Sequence, residues 1–323
     1  TNMKILVSIS TEQYFGDQIK KIDPSIELVA IHPDNKDEPS WNQVQDCDVF
    51  FLTYEFMFAA ALDDSLTDPL INLCQQMQFI QIGYAGTDSP LIQSILKTNA
   101  KVTNASGVHA IPIANYVLAQ MLRWTKRIDK HIELQAEKSW EAWGGDGELT
   151  YKHILILGYG GIGQEVGRLA KNFGMHVSAT KRSPHDCKYA DVIKHPDKTF
   201  ELLPNADFVV SCLPADHETD NIINKKSLSL MKETAMLINV GRGNAVNEED
   251  LIEALNSNTI ACAALDTTKI EPLPNDSELW TANNCFISSH DSAHSLHAIL
   301  RLNELFCSNL IDFINKKPLK NLI

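Results

Sequence analysis

The sequence predicts a protein of the α/β class with two doubly wound, parallel-sheet domains. A length of 323 residues suggests two domains at about 150 residues each. Short apolar strand candidates recur along the chain, separated by helical or loop segments of roughly 10–20 residues, which is the spacing of parallel strands joined by crossovers. Hydrophobic residues make up 44% and charged residues 21% of the chain, as in an ordinary globular protein. This composition excludes a disordered or collagen-like chain.

The first strand series is followed by a helical stretch. The strand candidates are Met3–Ile9, Ile26–Ile31, Val49–Leu52, Phe79–Ile82 and Lys101–Thr103. After them, Ile113–Glu137 has few helix breakers and helical apolar spacing, which predicts a long helical segment.

A second strand series starts at His153. Six strand candidates alternating with helical segments are typical of a doubly wound dinucleotide-binding fold. They are Ile154–Leu157, His176–Thr180, Asp207–Leu213, Ala235–Val240, Ile260–Leu265 and Cys285–Ser289. The stretch His294–Lys316 contains no Gly or Pro and is followed by Pro318, so we expect one long amphipathic helix there.

The charge balance is acidic. Lys and Arg total 28 against 41 Asp and Glu, for a net charge of −13 at neutral pH. Such a chain disfavours a nucleic-acid backbone or an anionic membrane as its main partner, although a small anion needs only a local positive site. No apolar run approaches the roughly 18 residues that span a bilayer.

Seven cysteines are scattered along the chain without a CxxC pair. An odd, dispersed set is typical of reduced thiols in a cytosolic protein and not of a disulfide framework or a zinc site. The strand pattern begins at once and leaves no room for a signal peptide. We therefore expect a cytoplasmic protein without a bound metal.

A glycine-rich turn gives the sharpest local signal. Gly158, Gly160 and Gly163 form a GxGxxG motif directly after a strand and at the start of a helix. The first glycine permits the tight turn, the second lets a pyrophosphate approach the backbone, and the third allows close helix–strand packing. In this context dinucleotide binding is favoured over a turn that serves packing alone. The intervening Tyr159, Gly161 and Ile162 belong to the same expected site.

The second strand of this series ends in a basic turn, Lys181-Arg182-Ser183. The acidic residue that bonds the ribose hydroxyls of NAD normally stands near this place, and no carboxylate is present. A basic pair with a hydroxyl suits a 2′-phosphate and favours NADP over NAD. The alternative is a solvated basic surface turn.

Arg242, Glu271 and His290 each follow a predicted strand. Since ligands bind at the carboxyl edge of an open α/β sheet, the three side chains are expected in one site. Arg242 can bind a carboxylate through two parallel hydrogen bonds. His290 can donate a proton, and Glu271 can orient the imidazole and favour its protonated form. Taken singly, each could be a surface ion-pair, loop or core residue. Their joint placement behind a cofactor motif favours the functional interpretation.

Together these segments resemble the D-isomer-specific 2-hydroxyacid dehydrogenase family, and more closely its glyoxylate/hydroxypyruvate reductase branch than phosphoglycerate dehydrogenase. The resemblance covers nearly the whole chain. Besides the glycine motif it includes, in order, IQIGYAGTDSP, VTNASGVHAIPIANYVLAQML, SCLPADHETDNII, INVGRG, LDTTKIEPLP and FCSNLIDFINKKPLKN.

The resemblance implies roles for single residues. Arg242 would hold the substrate carboxylate and carbonyl, and His290, paired with Glu271, would be the general acid/base. Asp266 would contact the nicotinamide amide, and Thr219 would lie near the nicotinamide ribose. We expect further cofactor contacts at Pro214, Val240 and Gly241, and substrate contacts at Tyr54, Tyr84, Ala85 and Gly86.

The chain departs from the family pattern in three places. Ser289 replaces the proline before the histidine, and Asp291-Ser292-Ala293 replace the small residues after it. Lys181 stands where the ribose-binding aspartate is usual. The first two departures leave the shape of the catalytic loop open, and the third puts NAD preference in doubt.

The resemblance also implies a domain arrangement. A Rossmann cofactor domain of residues 105–294 would be inserted into a flavodoxin-like substrate domain of residues 1–104 and 295–323, with the active site in a closing cleft. A homodimer through the cofactor domains is implied as well.

The expected function is NAD(P)-dependent reduction of a 2-keto acid to a D-2-hydroxy acid. The loop expected after the third strand, Leu52–Phe56, is aromatic and acidic and suits an unphosphorylated substrate, unless Tyr54 and Phe56 are core residues. The alternatives are a nucleotide-sensing corepressor-like protein on the same fold, a D-3-phosphoglycerate dehydrogenase, and an S-adenosylhomocysteine hydrolase. The last is disfavoured because those chains are much longer and lack matching Arg, Glu and His segments.

Overall fold

The computed structural model describes residues 2–142 and 147–323. They divide into two compact units. Unit 1 comprises Thr1–Val108 and Ser295–Ile323, and unit 2 comprises His109–His294. Unit 2 is therefore inserted into the sequence of unit 1, because the last segment of the chain returns to unit 1.

The strands of the described residues form two sheets. In chain order they are β1 (Lys4–Ser8), β2 (Glu27–Ile31), β3 (Val49–Leu52), β4 (Phe79–Ile82), β5 (Lys101–Thr103), β6 (His153–Leu157), β7 (His176–Thr180), β8 (Val192–Lys194), β9 (Phe208–Ser211), β10 (Met236–Asn239), β11 (Cys262–Leu265) and β12 (Cys285–Ile287).

The helices connect these strands. They are α1 (Ile9–Lys20), α2 (Tyr54–Leu62), α3 (Thr67–Gln75), α4 (Pro90–Ile95), α5 (Ala110–Thr125), α6 (Ile128–Ala136), α7 (Gly161–Asn172), α8 (Thr199–Leu202), α9 (Lys225–Leu230), α10 (Glu248–Asn256) and α11 (Leu296–Ile314). Short 3₁₀ turns complete the connections.

The sheet of unit 1 has the strand order β2-β1-β3-β4-β5, with every pair parallel. This is the flavodoxin-like order, and its direction of winding reverses between β1 and β3. The central strands β3 and β4 are completely buried, because apolar side chains pack on both faces of the sheet. Such strands appear in the sequence as continuous apolar runs.

Helix α11 closes one face of this sheet. Leu302, Phe306 and Leu310 are buried and spaced four residues apart, so they form one apolar stripe along the helix. The Phe306 ring stacks on Phe51 of β3, with 4.1 Å between the ring centroids. The predicted final helix therefore forms and packs against the N-terminal strands.

The sheet of unit 2 has the order β12-β11-β10-β9-β6-β7-β8, again with parallel pairs. Counted within the unit, this is the Rossmann order 3-2-1-4-5-6 with a seventh strand added, and it reverses between β6 and β9. The predicted α/β class with two doubly wound parallel sheets is confirmed.

Two local predictions are wrong. The second sheet contains seven strands within the described residues, where six were expected. The strand that the sequence analysis missed is β8, Val192–Lys194. It is short, half-buried and at the sheet edge, so its sequence carries little apolar signal. The stretch Ile113–Glu137 is also divided into α5 and α6, because Arg127 adopts the left-handed conformation at φ +54°. No helix breaker marks that position in the sequence.

Candidate active site

The glycine-rich turn connects β6 to α7. Gly158 has φ +88°, a conformation that side chains other than glycine rarely adopt. A Cβ on Gly163 would lie 2.4 Å from the Gly158 carbonyl oxygen, so the third glycine permits the close helix–strand contact. Gly160 precedes the helix without a side-chain cap, and the space beside its Cα is open. An anion can therefore approach the N-terminus of the helix.

A cleft of about 350 Å³ lies in front of this turn. It is lined by eight of the expected cofactor residues, which are Gly158, Tyr159, Gly160, Lys181, Arg182, Ser183, Pro214 and Thr219. Gly161 and Ile162 lie in the first turn of α7. The open backbone at Gly160, the helix N-terminus and the basic turn at one end suit a dinucleotide with its pyrophosphate at the turn.

The basic turn faces an acid that the sequence analysis did not identify. Arg182 Nη1 lies 3.4 Å from Asp216 Oδ2, and Asp216 also lines the cleft. The Arg182 side chain is 68% exposed, so this ion pair is weak. The chain thus has a carboxylate near the expected ribose position, although it comes from the loop after β9 and not from the end of β7.

Thr219 stabilises the loop that carries Asp216. Its hydroxyl donates to the carbonyl oxygens of Pro214 and Asp216, both at 2.8 Å, and accepts from the Asp216 N–H at 3.1 Å. In this structure the hydroxyl therefore shapes the wall of the cleft. A contact with the nicotinamide ribose stays a prediction.

Arg242 follows β10 on a tightly packed loop. The Asn239 side chain donates to the Arg242 carbonyl oxygen at 3.0 Å, which fixes the turn. A Cβ on Gly243 would lie 2.0 Å from the Thr268 carbonyl group, so only glycine allows the loops after β10 and β11 to meet. Val240 and Gly241, at the start of this loop, are buried.

His290 and Glu271 form a hydrogen-bonded pair. His290 Nδ1 lies 2.7 Å from Glu271 Oε2, and the two side chains are 44% and 37% exposed. Glu271 Oε1 also accepts from the Thr268 N–H at 3.1 Å. Both carboxylate oxygens of Glu271 are therefore hydrogen-bonded. Because Nδ1 of His290 contacts Glu271, the Nε2 atom on the other side of the ring points away from the pair.

The pair changes the pKa of both groups. The hydrogen bond that His290 donates to Glu271 raises the histidine pKa above its usual value, although burial and Arg242 oppose the change. For Glu271, burial raises the pKa, but the hydrogen bonds from His290 and Thr268 outweigh it and leave the pKa below its usual value. The arrangement favours a protonated histidine beside an ionised carboxylate.

Comparison with known proteins identifies the family. The model of the D-isomer specific 2-hydroxyacid dehydrogenase NAD binding domain matches residues 118–292, more than half of the chain. The chain belongs to the D-isomer specific 2-hydroxyacid dehydrogenase family.

Individual proteins resemble most or all of the chain. A glyoxylate reductase/hydroxypyruvate reductase from Homo sapiens is 32% identical over 240 residues, which cover 72% of this chain and 73% of the human protein. A hydroxypyruvate reductase from Blautia hydrogenotrophica is 28% identical over 258 residues, covering 76% and 78% of the two chains. A solved family structure from Aeromonas salmonicida superposes with a TM-score of 0.85 at 27% identity, over 100% of this chain and 99% of that one.

Asp266, after β11, is 1% exposed. Its carboxylate accepts hydrogen bonds from the Ser288 hydroxyl at 2.7 Å and from the backbone N–H groups of Asp291 and Ser292. These three residues flank His290. The sequence assigned Asp266 to the nicotinamide amide, which stays a prediction, and missed its contacts with the histidine loop.

The expected substrate residues of unit 1 lie after β4 and at the start of α2. Tyr84 and Ala85 are exposed and Gly86 is half-buried, and the Tyr84 and Ala85 carbonyl oxygens accept from Ala105 and Asn104. These bonds fix the turn through its carbonyl oxygens, and a contact between the turn and a substrate stays a prediction.

The expected loop after β3 is instead the first turn of α2. Phe56 is fully buried and is a core residue, whereas Tyr54 is 43% exposed. Glu55 accepts hydrogen bonds from the hydroxyls of Ser10 and Thr53. The expectation of a loop was wrong because Thr53 is followed by the apolar, helix-forming sequence YEFMFAAAL.

The described residues contain neither a candidate metal-binding cluster nor a candidate membrane-spanning helix. No group of three or more His, Cys, Asp or Glu side chains is arranged to hold a metal ion. In the same part of the chain, no helix combines the length and the apolar character that crossing a membrane requires.

Replacing Glu271 by Gln should move the pH optimum for substrate reduction downward. Reduction needs protonated His290, and loss of the carboxylate lowers the histidine pKa, so the proton is lost at a lower pH. The pH dependence of kcat/KM measures the change, with Glu278→Gln, an exposed acid on a neighbouring turn, as the control. A profile that Glu271→Gln leaves unchanged would contradict the pairing.

Proposed function

We propose that this protein reduces a 2-keto acid to a D-2-hydroxy acid, reversibly, with NADPH or NADH. The observation that carries the proposal is the His290–Glu271 pair, with 2.7 Å between Nδ1 and Oε2, whose electrostatic surroundings include Arg242. A developing alkoxide requires a proton donor and a nearby positive charge, and protonated His290 and Arg242 can supply them.

The residues divide the chemistry between them. The nicotinamide, when bound, supplies the hydride to the keto carbon. Arg242 binds the substrate carboxylate and polarises the carbonyl, since a guanidinium offers paired donors to planar oxygens. His290 donates the Nε2 proton to the carbonyl oxygen, and Glu271 stabilises its charge before that transfer. In the reverse direction neutral His290 accepts the proton.

We assign dinucleotide binding to unit 2. The turn Gly158–Gly163 binds the pyrophosphate at the α7 N-terminus, and Lys181, Arg182 and Ser183 bind the adenosine ribose or its phosphate. Contacts toward the nicotinamide are assigned to Pro214, Thr219, Val240, Gly241 and Asp266. Substrate contacts from unit 1 are assigned to Tyr54, Tyr84, Ala85 and Gly86.

The relatives support a small keto acid as the substrate. The human protein is named for reduction of glyoxylate and hydroxypyruvate, and the Blautia protein for reduction of hydroxypyruvate. This chain is similar to both over most of its length. A purely nucleotide-sensing protein would not need an acid/base pair, and the presence of the His290–Glu271 pair favours an enzyme over the corepressor-like alternative.

We further propose a cytoplasmic homodimer. Seven free cysteines suit a reducing compartment. Exposed apolar side chains on and after α6, Ile128, Ile132 and Trp140, suit burial against a second copy. Light scattering measures the mass, and a monomer at micromolar concentration would exclude the dimer.

The function is tested by following NADPH oxidation with glyoxylate, hydroxypyruvate and larger 2-keto acids. His290→Ala should reduce turnover about 10²–10⁴-fold, the range for a positioned proton donor, and retain NADPH binding in a fluorescence titration. His294→Ala removes an exposed histidine four residues away and should leave turnover unchanged. Absence of reduction with every keto acid, or near wild-type turnover by His290→Ala, would reject the assignment.

We expect NADPH to be preferred over NADH, and Arg182→Ala to narrow the preference mainly through the KM for NADPH. A charge-assisted bond to a 2′-phosphate contributes about 1.5–3 kcal/mol, which is about tenfold or more in affinity. Asp216→Asn should widen the preference, because it frees Arg182 from its partner.

The matched control for this comparison is Lys188→Ala. It removes the same charge from an exposed residue that does not line the cleft and should preserve the cofactor preference. Equal kcat/KM for the two cofactors in the wild-type protein, or a preference for NADH, would show that the basic turn is only a solvated surface.

Hydroxypyruvate should be reduced with a far higher kcat/KM than 3-phosphohydroxypyruvate. A phosphate dianion needs Arg or Lys, and Glu55 presents a carboxylate at the carboxyl edge of the unit 1 sheet. Glu55→Lys should therefore reduce the discrimination, while Glu12→Lys, at an exposed position on α1, should not. A wild-type preference for the phosphorylated compound would favour the phosphoglycerate dehydrogenase alternative.

A further inference from the structure

The loop that carries His290 is wrapped around a single buried carboxylate. Asp266 Oδ1 accepts from the Ser288 hydroxyl at 2.7 Å and from the Asp291 N–H at 3.1 Å, and Oδ2 accepts from the Ser292 N–H at 3.2 Å. Ser288 precedes His290 and the other two donors follow it. A carboxylate that is 1% exposed depends on such donors, because it has lost its contact with water.

Tyr116 on helix α5 adds one more hydrogen bond to this arrangement. The Tyr116 hydroxyl lies 2.8 Å from Ser288 Oγ. The Ser288 hydroxyl donates its single proton to Asp266. Tyr116 is therefore the donor to Ser288. Burial raises the pKa of Tyr116 to about 12, so the phenol keeps its proton at any pH at which the protein works.

The loop needs this support because its backbone is not relaxed. His290 has φ +54°, in the left-handed region that is unfavourable for a residue with a Cβ. A loop released from Asp266 can leave that conformation. The 2.7 Å contact between His290 Nδ1 and Glu271 Oε2 would then lengthen, because the two side chains come from different loops.

We propose that Tyr116 and Ser288 are positioning residues for His290, acting through Asp266. The phenol fixes the Ser288 hydroxyl, the hydroxyl fixes the loop on the carboxylate, and the loop keeps His290 against Glu271. The Tyr116 hydroxyl contacts Ser288, and the Ser288 hydroxyl contacts Asp266, so both hydroxyls act on proton transfer through the loop that carries the histidine. The kinetic part of this proposal depends on the function proposed above, and the geometric part does not.

Tyr116→Phe is a clean probe of the geometry. The charged groups that act on His290 are Glu271, Arg242 and Asp266, and this substitution changes none of them. A change in the histidine pKa would therefore report a change in its distance from these groups. Tyr151→Phe is the matched control, because it removes a phenolic hydroxyl from a side chain of unit 2 that is 90% exposed.

The experiment is an NMR pH titration of the full-length protein without cofactor. The His290 ring signal is assigned by its absence from the His290→Ala spectrum. We expect Tyr116→Phe to lower the His290 pKa, because the bond with Glu271 that raises it is weakened, and Tyr151→Phe to leave it unchanged. Ser288→Thr, which keeps a hydroxyl, should retain the wild-type pKa.

Kinetics test whether the two residues act in one chain. Tyr116→Phe should lower kcat for keto-acid reduction about threefold to tenfold, the equivalent of one neutral hydrogen bond. The KM for the keto acid should change little. In a Ser288→Ala background the same substitution should have almost no further effect, since coupled residues are not additive.

The outcomes separate this proposal from the proposed function. An unchanged His290 pKa in Tyr116→Phe, whether or not the melting temperature falls, would reduce Tyr116 to a structural residue and overturn the inference. Additive effects of Tyr116→Phe and Ser288→Ala would also overturn it. A lowered pKa in a protein that reduces no keto acid would support the positioning and reject the function.

Discussion

All strands of unit 2 run in the same direction, so every loop that follows a strand leaves from one edge of the sheet. The features of the candidate site depend on this constraint. The glycine turn follows β6, the basic turn follows β7, and the loops that carry Arg242, Glu271 and His290 follow β10, β11 and β12. Residues separated by more than a hundred positions meet because parallel pairing aligns the strand ends. The direction of winding reverses between β6 and β9, and the resulting crevice accepts the cofactor. A shift of one strand along its neighbour would displace a loop, and the His290–Glu271 hydrogen bond would not form.

Most of this architecture could be predicted from the sequence, because a strand buried on both faces appears as a continuous apolar run. Val49–Leu52 and Phe79–Ile82 begin and end where expected for that reason. The failures have the opposite cause. Val192–Lys194 is a half-buried edge strand with a charged last residue, so its place is determined by pairing with β7 and not by its composition. The break at Arg127 is likewise a tertiary effect, since Arg is a good helix former and only the path of the chain requires its positive φ.

The parts of the candidate site that lie in recognisable motifs could be predicted from the sequence. The parts that depend on contacts between distant residues could not. Gly158–Gly163, Arg242, Glu271 and His290 could be identified because their spacing relative to the strands matches their expected chemistry. Asp216 could not, because an acid in the loop after β9 becomes relevant only when the fold brings it to the basic turn. The contacts of Asp266 were also hidden, since its donors lie 22–26 positions further along the chain, and Tyr116 lies 172 positions from Ser288. The family departures at Ser289 and Asp291 acquire a physical meaning here. The loop lacks the rigidity of a proline, and the carboxylate of Asp266 supplies the restraint through hydrogen bonds.

The chain and a dinucleotide cofactor are both negatively charged, and the basic turn offers local positive charge against their repulsion. A net charge of −13 repels a dinucleotide at long range, so attraction has to be local, and we assign it to the α7 N-terminus, Lys181 and Arg182. Arg182 pairs with Asp216 across 3.4 Å in an exposed position. Such a pair stabilises the fold by about 0–1 kcal/mol, less than the contribution of a charge-assisted bond to a phosphate dianion, about 1.5–3 kcal/mol. Arg182 can therefore exchange one partner for the other at little cost. If Arg182 stays on Asp216, the carboxylate is neutralised and accepts ribose hydroxyls poorly. We propose that the same ion pair weakens binding of the unphosphorylated cofactor, so that the partner of Arg182 determines which cofactor the cleft prefers.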